Sequence, residues 1–258
     1  LLRAQWVLPY FKNQWINLFH LFSDCAYSHA DVVTALFRRA NEAQMELGCD
    51  ENKLRVTPNG VHIERFADVP DKPEDGWTDI GAIVRIARIK DIKTMIYAFA
   101  EVKREIGSVR LHIMGDIDDD EYYEACRTLI GQLGVQNIIF TGSVDVAEYI
   151  KKLDFIILTS ISEGQPLSVL EAFAAGRACV TTDVGCCREL IEGNDGLGEA
   201  GICVPPMNKE QVAQAMLELC REPLTRKRMG AVGRERVRRY YTHDISMENY
   251  KRLYQEVV

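Results

Sequence analysis

From Lys53 onward, short unbroken runs of apolar residues alternate with stretches in which apolar residues recur every three or four positions. The runs are "KLRVTP", "DIGAIVRIA", "VRLHIMGD", "NIIFTG", "DFIILTS", "ACVTTDVG" and "GICVPP". Their Val, Ile and Leu residues do not alternate with polar ones. They therefore predict strands buried on both faces, the signature of a parallel sheet covered by helices. The intervening segments "DIKTMIYAFAEVKREIG", "DEYYEACRTLIGQLG", "VAEYIKKL", "PLSVLEAFAAG" and "CCRELIEG" predict those helices, and Met95, Phe99, Val102 and Ile106 form one apolar stripe. Gly107, Gly134, Gly176 and Gly193 stand where helices should close. After Pro206 the pattern becomes wholly helical, in "NKEQVAQAMLELCREP", "LTRKRMGAVGRERVRRYY" and "THDISMENYKRLYQEVV". Asn208, with Gln211 three residues on, and Thr242 are the expected N-caps.

The first 52 residues read differently: a helix in "NQWINLFHLFSDCAYSHA", a short strand in "DVVTALF" and a helix in "RRANEAQMELG". That is too little to bury a core alone. It reads as the last strand and helices of a preceding domain, joined to the rest by "TPNGVHIERF". The expected division is 1–57 as domain tail and linker, 58–240 as a complete domain, and 241–258 as a C-terminal helix. Leu1, not Met, opens the chain, so a piece of a longer protein is expected.

Composition narrows the function classes. Of 258 residues, 47% are apolar and 27% charged, which is ordinary for a globular protein. The net charge of −7, with Lys and Arg dispersed, argues against nucleic acid as a partner. The basic run from Arg226 to Arg239 is broken by glycines and apolar residues and is expected to be a solvated helix face. The eight cysteines form no C-x-x-C, and the five histidines no metal-ligand pair. Thiols in a reducing, cytoplasmic compartment are expected, with no signal peptide and no apolar run near the roughly 20 residues of a membrane span.

In an open parallel sheet, ligands bind beyond the carboxyl ends of the strands, and candidate residues follow four of the predicted strands. Arg85 and Lys90 in "RIARIKD" would neutralise a diphosphate, although, taken alone, they read better as two solvated cations in a loop. Asp116 and Asp118 have the spacing of a metal-binding pair, but acids also belong in the first turn of the helix that follows. The turn "TGSVD" leaves backbone groups near Val144 to read a base. In "SEGQPLSVLEA", Pro166 suits the first helical position, so the N–H groups from Gly164 to Ser168 would face an anion. Glu163 and Glu171 flank that turn, and spacing alone does not separate a sugar site from a helix-forming acid and a capping loop.

Taken in order, these segments resemble the C-terminal domain of family 4 glycosyltransferases. Glu163 and Glu171 match the family's Glu, seven residues, Glu; Arg85 and Lys90 match its phosphate clamp, with Asp91 where a Gly is usual. "TPNGVHIERF", "MGD" and "FTGSVD" match the linker, second strand and base-binding turn, and "DVGCCREL" looks most like the Pel exopolysaccharide subfamily. The resemblance implies an α/β fold of GT-B type: one complete Rossmann-like domain plus the tail of a preceding one. It implies retaining transfer of a hexose from a UDP-sugar to a glycan or polysaccharide acceptor, with no essential metal or other cofactor. Arg85, Lys90 and Glu163 would be catalytic; Glu171 would hold the ribose, Val144 the base, and Gly164, Gln165, Pro166, Leu167 and Ser168 would line the donor path. Association with a membrane-bound synthase complex is a further implication. His20, His29, His62, His112 and His243 match no motif of the family. The donor half would be present and the acceptor half missing, so the chain alone would bind UDP and transfer little. The alternatives are a non-catalytic UDP-binding module and a non-hydrolysing UDP-sugar epimerase; a dehydrogenase would need a G-x-G-x-x-G turn, which is absent.

Overall fold

The computed structural model describes residues 15–67, 69–70 and 72–257. The expectations for Leu1, Asn13, Gln14 and Val258 lie outside those residues. Two compact units are present: residues 1–60 with 241–258, and residues 61–240.

The smaller unit contains α1 (Trp15–His29), β1 (Val33–Ala35), α2 (Arg38–Glu46) and β2 (Leu54–Val56). The two strands pair in parallel, Val33 opposite Leu54. Val33, Cys49 and Leu54 make a small core with Tyr27 and Ala30 against it.

The larger unit runs β3 (Thr78–Ile83), α3 (Ile92–Ile106), β4 (Val109–Met114), α4 (Asp120–Leu133), β5 (Ile138–Gly142), α5 (Val146–Tyr149), β6 (Phe155–Leu158), α6 (Leu167–Ala174), β7 (Ala178–Thr182), α7 (Cys187–Glu192), β8 (Gly201–Val204), α8 (Lys209–Arg221) and α9 (Pro223–Tyr240). The last helix, α10 (His243–Val257), belongs to the smaller unit. The six strands are parallel in the order β5-β4-β3-β6-β7-β8, and every residue of β6 and β7 is buried. The expected stripe on α3 is buried at Met95, Phe99 and Val102. Asn208 and Thr242 act as N-caps, accepting from the N–H groups of Gln211 (3.0 Å) and Ile245 (3.2 Å).

Two expectations are corrected. Pro166 is the N-cap of α6, not its first helical residue: its ψ of 116° is extended, and its carbonyl accepts the first helical bonds, from Val169 and Leu170. The basic run of α9 is solvated only at Lys227, Arg228, Arg238 and Arg239. Arg226 donates to Asp154 (2.8 Å), Arg234 to the carbonyl of Ala175 (2.9 Å), and Arg236 is 1% exposed. Met229, Gly230, Gly233 and Val237 turn this face inward, and the arginines beside them follow it to buried carbonyls.

A charged network closes the amino-terminal edge of the sheet. Asp79, 2% exposed, accepts from Arg110 Nη2 (2.7 Å) and His112 Nε2 (2.8 Å) and pairs with Lys72. Burial alone would raise the Asp79 carboxyl; hydrogen bonds from His112, Arg110 and Lys72 outweigh it and hold the carboxyl well below the usual range. A carboxyl depressed in the folded state contributes stability above its unfolded value, near 3.9, and loses it as pH falls through the folded value. We expect the urea midpoint to drop between pH 6 and pH 3 by an amount equivalent to about 1 kcal/mol from this carboxyl, with the rest of its contribution lost only below pH 3. Asp79→Asn should start from a lower midpoint at pH 6 and lose visibly less on acidification; an identical acid loss in that variant would remove Asp79 from the account.

Candidate functional site at the switch point of the sheet

The chain leaves β3 towards β4 and β5, then returns to β6 on the other side and continues to β7 and β8. The crevice beyond the carboxyl ends of β3 and β6 is therefore the topological switch point, where a doubly wound sheet admits ligands between diverging loops. The loop after β3 carries Arg85 and Lys90, and the loop after β6 carries Glu163. The two loops are stitched together by the Ile161 N–H on the Ile89 carbonyl at 2.9 Å.

Lys90 Nζ donates to Glu163 Oε1 at 2.6 Å, and the side chains are only 18% and 11% exposed. Ser160 Oγ donates to the same oxygen, also at 2.6 Å. Arg85 is held more loosely. It pairs with Asp118 at 2.5 Å, but with exposures of 64% and 47% that bridge is worth no more than about 1 kcal/mol, so an anion readily displaces it. Asp119 caps α4 at the Tyr122 N–H (2.8 Å) and pairs with Arg88 (2.9 Å), as helix-start acids do. Asp91 has φ 46° and ψ 50°, left-handed backbone that glycine adopts freely and Asp tolerates better than most residues. Its side chain accepts from the Thr94 N–H at 3.4 Å and starts α3. Gly115 is needed for a different reason: a Cβ there would lie 2.2 Å from the Val84 carbonyl, where β3 and β4 reach the crevice.

At the start of α6, the N–H groups of Leu167 and Ser168 belong to the first turn and have no intrahelical acceptor. Gly164 and Leu167 are exposed, Ser168 is half-buried, and Gln165 and Pro166 are buried beneath the turn. Glu171 is half-buried one turn further along α6. Burial raises its carboxyl above the usual range, against the lowering field of Arg65. Arg65 also reaches Asp145 at 3.4 Å, in the turn that carries half-buried Val144, so it links the Glu171 helix to that turn. β5 lies two strands from β3, so the Val144 turn rises from the same carboxyl-terminal edge of the sheet as the Lys90 loop. The structure thus joins Lys90 directly to Glu163, relates Val144 to Glu171 through Arg65, and leaves Arg85 on the outer side of the crevice with Asp118.

Sequence reasoning missed Arg65, Thr159, Ser160 and Thr182. Polar residues ending the apolar runs "FIILTS" and "ACVTT" were the available signal. Among the described residues no cluster of three His, Cys, Asp or Glu has metal-binding geometry, and no helix is long and apolar enough to cross a membrane. All eight cysteines are free, and burial pushes the Cys126 thiol up to about 11.

A family model described as "Glycosyl transferases group 1" matches residues 78–222, more than half of the chain. The chain belongs to the glycosyl transferases group 1 family. The chain also matches, over residues 1–52, a second model described as a domain of unknown function (DUF3492). It is 27% identical over 227 residues to alpha-monoglucosyldiacylglycerol synthase of Streptococcus pneumoniae, covering 77% of this chain and 49% of that protein. It is 30% identical over 198 residues to trehalose synthase of Pyrococcus horikoshii, covering 73% and 45%. The chain thus spans about half the length of the curated relatives it matches. Its fold matches sucrose-phosphate synthase of Thermosynechococcus elongatus, with a TM-score of 0.83 at 20% identity over 99% of this chain and 65% of that one. It also matches Anabaena HepE in complex with UDP and glucose, with a TM-score of 0.78 at 18% identity over 94% and 67%. The parallel six-stranded sheet is that of GT-B glycosyltransferases.

Proposed function

We propose that this chain is the donor-binding half of a retaining, family 4 glycosyltransferase that takes a hexose from a UDP-sugar. The observation that carries the reading is the Lys90–Glu163 pair at the switch point, beside exposed Arg85 and the open first turn of α6. In the reaction the bond from C1 to the β-phosphate oxygen breaks, the acceptor hydroxyl oxygen bonds C1 on the same face, and its proton passes to the departing phosphate. Negative charge then grows on the departing UDP. Arg85, Lys90 and the N–H groups of α6 are fixed positive groups able to stabilise it without reorganising. Glu163 accepts from hexose hydroxyls, and Glu171, whose carboxyl burial disfavours as an anion, accepts from the ribose. The backbone at Val144 meets the base, and Gly164 to Ser168 line the path between.

In this reading 58–240 is the donor domain, 1–57 the tail of the acceptor-side domain, and 241–258 a C-terminal helix. UDP complexes of HepE support the donor, and a colanic acid biosynthesis glycosyltransferase among the relatives accords with a Pel-like exopolysaccharide acceptor. The work is cytoplasmic, needs no metal, and is catalytically incomplete in this chain alone, because the acceptor surface belongs to the other domain.

The test is calorimetric titration of the chain with UDP and UDP-glucose in EDTA, beside Glu163→Gln. Wild type should bind both ligands. The variant should bind UDP several-fold more tightly, because the charge that occupies Lys90 and repels phosphate is gone. It should lose any preference for UDP-glucose over UDP. A folded wild-type chain that gives no heat with either ligand refutes the donor-site reading.

A further inference from the structure

Resting on that reading of the site, we propose that Thr159 and Ser160, the two residues that follow β6, are positioning residues that set the Lys90–Glu163 pair from opposite sides. Neither takes part in the chemistry. The pair sits at the end of an otherwise apolar strand, 1% and 0% exposed, where an unpartnered hydroxyl would carry a desolvation cost. Successive side chains of an extended segment point to opposite faces, so adjacent hydroxyls serve different partners.

The Thr159 hydroxyl lies 3.0 Å from the carbonyl of Lys90 and 3.0 Å from that of Asp91. It donates into the left-handed turn at Asp91 and fixes the backbone from which the Lys90 side chain leaves. The Ser160 hydroxyl donates to Glu163 Oε1, the oxygen that also receives Lys90 Nζ. Both donors fall on Oε1, so Oε2 keeps its accepting capacity for a ligand hydroxyl. Ser160 is held in turn, because Thr182 Oγ1, at the end of β7, donates to its carbonyl at 2.6 Å. The ends of three strands thus determine one carboxylate and one ammonium: β6 through both hydroxyls, β7 through Thr182, and β3 through the loop that carries Lys90.

The experiment reads the pair without ligand first. Proton exchange of the Lys90 ammonium is followed by NMR of ¹⁵N-labelled chain, with Lys90→Arg to assign it. Lys72, hydrogen-bonded to Asp75 and Asp154 at the far edge of the sheet, serves as internal control. Wild-type Lys90 should exchange slowly. Ser160→Ala and Ser160→Cys, which keeps the volume but donates weakly, should each speed it at least tenfold, and Thr159→Val should do the same. Thr159→Ser should restore the slow rate, and Lys72 should stay unchanged throughout. The same proteins are then titrated in EDTA. Thr159→Val should weaken UDP about tenfold, whereas Ser160→Ala should hold UDP within about threefold and lose the extra affinity for UDP-glucose.

A Lys90 ammonium that exchanges as fast as exposed lysines in wild type, or that is unchanged in the Ser160 variants, overturns the proposal whether or not UDP binds. Loss of slow exchange at Lys72 together with Lys90 does so too, since it would mark general loosening. The expected exchange pattern in a chain that binds no UDP would instead sink the donor-site reading and leave the positioning intact.

Discussion

Replacing Arg85 and Lys90 together by alanine is expected to weaken UDP binding at least 100-fold in metal-free buffer. A hydrogen bond to a charged group contributes about 1.5–3 kcal/mol, so two cations on one diphosphate contribute about 3–6 kcal/mol. The two should not contribute equally. Lys90 is 18% exposed and less screened, whereas Arg85 is 64% exposed and shares Asp118. Lys90→Ala alone should therefore carry most of the loss, and it leaves Glu163 uncompensated beside the phosphates. The Arg85 contribution should shrink as salt is raised from 0.05 to about 0.5 M, because the Debye length falls from above 10 Å to a few ångströms. Titration of the two single variants and the double at two salt concentrations measures both. A double variant that folds and binds UDP as wild type does would leave the crevice without a donor role.

The second large effect concerns stability. Arg236 sends Nε and Nη2 to the two carboxylate oxygens of Asp195, at 2.7 and 3.0 Å. Its remaining N–H groups reach the carbonyls of Leu190, Ile191 and Gly198 at 2.8, 2.9 and 2.6 Å. These include orphan carbonyls at the end of α7, which closes at Gly193 with φ 63°. A Cβ at Gly193 would come within 2.3 Å of the guanidinium, so the glycine serves the contact as well as the turn. Arg236→Met should lower stability by about 3–5 kcal/mol, because Asp195 and several carbonyls lose their partner in a dry site. Pairing it with Asp195→Leu should recover part of that loss. Urea unfolding of the three proteins decides the matter, and a wild-type midpoint in Arg236→Met would mean that water replaces the guanidinium.

The candidate site was legible to different depths. Arg85, Lys90 and Glu163 could be singled out because charged residues in the loops after apolar runs belong to strand ends, and Glu171 because its spacing from Glu163 matches a known motif. The hydroxyls of Thr159, Ser160 and Thr182 looked like ordinary strand endings, since a hydrogen bond across 69 positions, such as Thr159 to Lys90, leaves no local trace. Arg65 was hidden for the same reason, inside a linker whose partners Asp145 and Glu171 lie far along the chain. The buried arginines of α9 were misjudged because charge indicates solvent only on average. Whether a guanidinium is buried depends on carbonyls that another element leaves open.

What the sequence determined by itself was local: which segments are strands, where helices begin at Asn208 and Thr242, and that the chain alternates as an α/β protein; burial on both faces holds throughout only for β6 and β7, whereas the edge strand β5 has no buried residue. Those properties depend on neighbours within a few residues, through side-chain periodicity and capping. Only the tertiary structure decided the strand order, hence that β3 and β6 are adjacent and that their loops share one crevice. Adjacency of residues 75 positions apart, Ile80 opposite Phe155 and Gly81 opposite Ile156, is set by burial of the whole sheet. No short stretch carries that information, because packing free energy is a property of the assembled core.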